Sequence, residues 1–148
     1  MADKYKAIAT GVALVATTPK TVLQIATPST IRARASLLSI QFDGITAGNV
    51  PGLVELLRQT SSGTGTAVTP VATDSAAPAS LVTALKNHTV EPAGTTAVDS
   101  WTVSPNGGSL LIPFYGFDQP VLPVSGFLGI RCTFANAVNV TAELTFLA

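Results

Sequence analysis

From Leu128 to Phe146 apolar and polar residues alternate with a period of two, and nothing else in the chain constrains the fold as tightly. Leu128, Ile130, Cys132 and Phe134 share one parity, with Gly129, Arg131 and Thr133 on the other. Val138, Val140, Ala142, Leu144 and Phe146 repeat the pattern against Asn139, Thr141, Glu143 and Thr145. Successive side chains of a strand point to opposite faces, so each run has one apolar and one polar face. Ala135 to Ala137, centred on Asn136, form a short connection, and the two runs are expected as an antiparallel hairpin.

Other segments read the same way. Strands are expected at Tyr5–Val15, Thr21–Ala26, Ile31–Phe42, Leu53–Gln59, Trp101–Val103, Leu110–Tyr115 and Val121–Val124. In the long third segment the parity of Leu38, Ile40 and Phe42 also holds Arg32, Arg34 and Ser36. A face that changes character midway signals a bulge or a departure from the core. Asp43-Gly44, Pro51-Gly52, Asn106-Gly107-Gly108 and Ser125-Gly126 supply turn chemistry. Ser80–Lys86 suits a helical turn and a strand equally. Residues 60–78, rich in Thr, Ser, Gly, Ala and Pro, are expected as a long surface loop, with room for a short strand at Ala67–Val71. About eight short strands with no βα alternation predict an all-β fold, an antiparallel β-sandwich of jelly-roll type. Residues 1–16 are expected as an N-terminal arm or edge strand, and 17–148 as one sandwich domain.

Composition then bears on what such a sandwich does. Only 11% of the 148 residues are charged, against about 25% in ordinary soluble domains. Lys plus Arg is 8, Asp plus Glu is 8, and the net charge is +0. Mean hydropathy is +0.45. Chains near zero net charge tend to associate, and surplus apolar surface is normally covered by a partner. A plain, neutral monomer is the simpler alternative. No basic run is available to neutralise phosphates, so nucleic acid is not an expected partner. No run of 18 apolar residues exists, so no membrane span is expected either. Lys4 and Lys6 before Ala7–Ala16 mimic a leader, but Thr10 and Gly11 interrupt it and Leu14 is too large for the cleavage site.

Sites of catalysis, cofactor binding and metal binding are expected to be absent. His88 is the one histidine, and a metal site needs several ligands at close spacing. It is expected in a loop, exposed or bonded to backbone. Cys132 sits on the apolar parity of its strand, where a thiol behaves as a small hydrophobe with a raised pKa. Asp43, Asp74 and Asp99 read as turn and loop residues. Ser62-Gly63-Thr64-Gly65 lacks the Gly-Lys-Ser/Thr of a phosphate-binding loop.

Two stretches carry a resemblance. Val54-Glu55-Leu56-Leu57-Arg58-Gln59-Thr60 with Gly63-Thr64-Gly65-Thr66-Ala67-Val68-Thr69-Pro70-Val71, and Gly126-Phe127-Leu128-Gly129-Ile130-Arg131 with Ala137-Val138-Asn139-Val140-Thr141, resemble segments of small jelly-roll virion proteins of tailed bacteriophages, of the capsid decoration (cement) type. The resemblance implies a homotrimer on the outside of a capsid, bound to the major capsid protein lattice. It transfers no catalytic residue.

The expected self-association surface comprises Trp101, Phe114, Tyr115 and Phe117, together with Tyr5, Val12 and Leu14 of an N-terminal segment that would extend a neighbour's sheet. The alternatives are a carbohydrate-binding or host-recognition module that uses Trp101 and Tyr115 as stacking platforms, and another virion component of tail or fibre.

Overall fold

The computed structural model describes residues 2–43, 48–106 and 108–148. The turn positions Gly44 and Gly107 lie outside the described residues. The strands are β1 (Lys4–Leu14), β2 (Lys20–Ala26), β3 (Ala33–Phe42), β4 (Gly52–Gln59), β5 (Thr64–Val68) and β6 (Val71–Ala72) in the first half. They continue as β7 (Thr83–Val90), β8 (Thr96–Val103), β9 (Ser109–Pro113), β10 (Val121–Leu122), β11 (Phe127–Thr133) and β12 (Val138–Leu147).

These strands form an antiparallel β-sandwich. One sheet runs β10-β3-β12-β1-β6, with β9 also paired to β3; the other runs β5-β7-β2-β11-β4-β8. Without β5, β6, β7 and β10, the orders are β1-β12-β3-β9 and β2-β11-β4-β8. The chain crosses between sheets at each step from β1 to β4, at β5–β6 and β6–β7, and again at β8–β9, β10–β11 and β11–β12, a wrapping compatible with a jelly roll. The segment between β4 and β8 adds β6 to the border of the first sheet and β7 with β5 to the border of the second. The exposed surface of 7302 Å² matches the roughly 7,000 Å² expected of a compact chain of this mass.

One core fills the space between the sheets. Leu23, Ile25, Val54, Leu56, Leu128 and Ile130 enter from one side, and Ala7, Val12, Leu38, Ile40, Leu144 and Phe146 from the other. The bulge expected in the third segment is present. β12 pairs Thr145 with Leu37 but Phe146 with Ala35, so Ser36 is an extra residue. It moves the inward parity from Ala33 and Ala35 to Leu38 and Ile40. Thr10-Gly11 does the same in β1, where pairing jumps from Ala9↔Ala142 to Val12↔Val140.

Three expectations change. β11 and β12 are not a hairpin: they belong to opposite sheets, and Phe134–Ala137 cross the sandwich. Their apolar faces meet across the core rather than side by side. The N-terminal segment is built into its own sheet as β1, paired along its length with β12. Its apolar residues have core to cover, so it is no free arm; it borders the sheet wherever β6, matched only to Tyr5 and Lys6, does not reach. Residues 60–78 carry β5 and β6 rather than one loop. Of the ambiguous Ser80–Lys86, Thr83–Lys86 belong to strand β7, and Asp99, expected in a turn or loop, lies within β8.

Candidate interaction surface

The structure divides the expected interface residues. Tyr5, Val12 and Leu14 are buried at 4%, 3% and 3% exposure, and Phe114 at 7%. They pack into their own core, and none of them is free to extend a neighbour's sheet. Tyr5 stacks on Phe146 with ring centroids 5.8 Å apart, and its hydroxyl donates to the Pro78 carbonyl at 3.1 Å. Trp101 is half-buried against the flank of the core. Tyr115 and Phe117 stand in solvent, at 75% and 110% exposure.

The bulge in β3 positions this aromatic corner. The Ser36 carbonyl accepts the Phe114 N–H at 2.9 Å, and the Ala35 N–H donates to the Pro120 carbonyl at 2.9 Å. Phe114 and Pro120 are buried and clamp both ends. Between them Gly116–Asp118 make one 3-10 turn, closed by the Asp118 N–H on the Tyr115 carbonyl at 3.0 Å. Gly116 has φ 56°, a left-handed conformation that glycine adopts without steric cost. A phenyl ring held in water forgoes about 1.5–3 kcal/mol of burial.

Two hollows lie near the same end of the first sheet. One, of about 330 Å³, is walled by Tyr5, Ile31, Pro78, Ala79 and Leu81 with Asp3 on its rim. Ala148 lines it and also lines an adjoining hollow that holds Arg32 and Arg34. A groove of about 390 Å³ runs along the flank between β8 and β9, walled by Val98, Ile112, Phe114 and Pro120 with Asp99 and Asp118.

The outer face of the second sheet carries a polar network instead. β7 pairs with β2 from Ala26 to Leu23 and no further; Asn87, at φ 50°, turns the strand away. Side chains then take over the ladder at Thr21. His88 Nδ1 lies 3.0 Å from the Thr21 carbonyl, and Glu91 accepts the Thr21 N–H. His88 is therefore a buried strand residue bonded to backbone, and its Nε2 faces the Ser62 carbonyl at 3.1 Å. Both ring nitrogens thus face backbone carbonyls. Gln24 Nε2 donates to Gln59 Oε1 at 2.6 Å, and Gln59 Nε2 to Thr21 Oγ1 at 3.0 Å. No buried side-chain polar atom among the described residues lacks a partner. Sequence reading did not find this network, because its members are isolated polar residues with no shared spacing.

Cys132 is fully buried, and burial first and Glu55 second push its thiol up to about 12. It is a neutral packing group. Among the described residues no group of three His, Cys, Asp or Glu side chains could hold a metal ion, and no helix is long and apolar enough to cross a membrane. In comparison with known proteins, the chain matches no family model, no curated protein and no solved structure.

Proposed function

We propose that this chain is a structural virion subunit of the capsid decoration type, which coats the outside of a phage head and stabilises the shell. One observation carries the reading: Tyr115 and Phe117 are exposed on a turn that is clamped at both ends. A rigid apolar display suits docking, because little conformational freedom is lost on contact. The low charge content and the phage-like segments support the same reading. The subunit works by mass action: it binds the assembled lattice better than free capsomers and so shifts the equilibrium toward intact shell. Association between copies raises the effective concentration of each weak contact; the resemblance implies trimers. The glycan alternative loses half of its platform, since Trp101 is partly packed against the core.

The test uses undecorated heads of a tailed phage, mixed with purified protein and sedimented. Saturable co-sedimentation, with heads that resist heat or chaotrope better than bare ones, is the expected result. Protein that stays in the supernatant and leaves shell stability unchanged would overturn the proposal.

A further inference from the structure

We propose that copies of this chain associate by inserting Phe117 of one into the Ile31–Leu81 hollow of the next. The inference rests on the reading as a self-associating subunit and names the contact. The knob is the most exposed large apolar side chain in the described structure, on a turn held at Ser36 and Ala35. The socket has apolar walls of Ile31, Pro78, Ala79 and Leu81, and Leu81 is itself 63% exposed. The Tyr5 ring beneath is fixed by its stack on Phe146 and its bond to Pro78. An engineered protein cavity of about 150 Å³ accepts benzene, so a hollow of about 330 Å³ has room for a phenyl ring.

Charge selects a second copy as the occupant. Asp118 follows Phe117 and is exposed. Arg32 follows Ile31, and Arg34 lies in the adjoining hollow. None of the three belongs to either ion pair of the described structure, Lys6–Glu143 and Arg131–Glu55. Asp3 on the rim carries the same sign as Asp118, so the contact requires Asp118 to meet Arg32 or Arg34 instead. Knob and socket are separate patches, so each copy uses one of each, and the contact propagates until the assembly closes.

The experiment measures mass by light scattering over a range of concentrations for wild type, Phe117→Ser and Leu81→Arg. Both substituted side chains are exposed, so thermal unfolding is expected to match wild type and serves as the folding control. Wild type is expected to assemble, and each variant to weaken association by roughly 10–100-fold. An equimolar mixture of the two variants should give dimers and nothing larger, because one intact knob meets one intact socket. Asp118→Arg alone should weaken assembly, and Asp118→Arg with Arg32→Asp should restore it. Variants that assemble like wild type, or a mixture that stays monomeric, would overturn the contact. Monomeric wild type that still coats undecorated heads would defeat this inference and leave the decoration role standing; assembly through the knob with no binding to heads would do the reverse.

Discussion

Glu91 grips Thr21 with both carboxylate oxygens: Oε1 accepts the backbone N–H at 2.6 Å and Oε2 accepts the hydroxyl at 2.7 Å, across a sequence separation of 70. The contact replaces a ladder bond that β7 no longer supplies. Glu91→Ala leaves the Thr21 N–H without its acceptor and is expected to cost about 1–3 kcal/mol. Thr21→Val removes the hydroxyl that donates to Glu91 and accepts from Gln59 Nε2, and should cost a similar amount because it leaves a buried amide donor unpaired. Urea unfolding reads both as a lower midpoint at unchanged slope; a Glu91→Ala midpoint equal to wild type would show that water replaces the carboxylate.

Gly129 pairs with Leu57 on one side and Gln24 on the other, and the Gln59 side chain lies where a Cβ at Gly129 would sit. Gln59 cannot swing aside without losing Gln24 and Thr21. Gly129→Ala is therefore expected to cost about 1–3 kcal/mol through overpacking. The same change made on Gln59→Ala should cost less than on wild type, and a double-mutant cycle by denaturation measures that coupling. Equal costs in both backgrounds would place the strain elsewhere.

The two ion pairs should differ in weight. Arg131 meets Glu55 through Nη2 at 2.6 Å and Nε at 2.8 Å, with side chains 22% and 14% exposed. Lys6 meets Glu143 at 3.0 Å with 40% and 23% exposed. Glu143→Gln should cost about 0–1 kcal/mol. Glu55→Gln should cost more, since it leaves a guanidinium largely out of water. Stability in low and high salt separates them: the Lys6 pair should be the more readily screened.

Cys132 sets an alkaline limit. Its thiol is held at about 12 in the fold against a reference of 9.0. Above the unfolded value the open chain ionises while the fold keeps its proton, so the contribution is intact below about pH 9 and declines toward pH 12. Cys132→Ala should lose less stability between those values than wild type does. Iodoacetamide should alkylate the wild type only when denaturant opens the core; fast labelling of native protein at pH 8 would contradict the burial.

Much of this architecture was legible in the chain itself. Alternation in β11 and β12 revealed strands and their inward faces, because the period of a strand is visible in one segment alone. The change of character near Ser36 signalled a bulge or a departure from the core, and the pairing with β12 shows the bulge. The site was less legible. Tyr115 and Phe117 stood out by type, yet Phe114 beside them is core, and only the bond from Phe114 to Ser36 separates them. Tyr5, Val12 and Leu14 looked available because nothing local says that β12 lies alongside.

The amino-acid sequence by itself determined most of the strands, the apolar face of those with clear alternation, and that only 11% of the residues are charged. Those properties are local and additive. Only the tertiary structure decided which strands are neighbours: that β12 leaves β11 for the opposite sheet, that β1 joins its own chain, and that His88 and Glu91 complete the ladder at Thr21. Pairing partners depend on how two curved sheets close over a shared core, a long-range requirement that no single segment encodes.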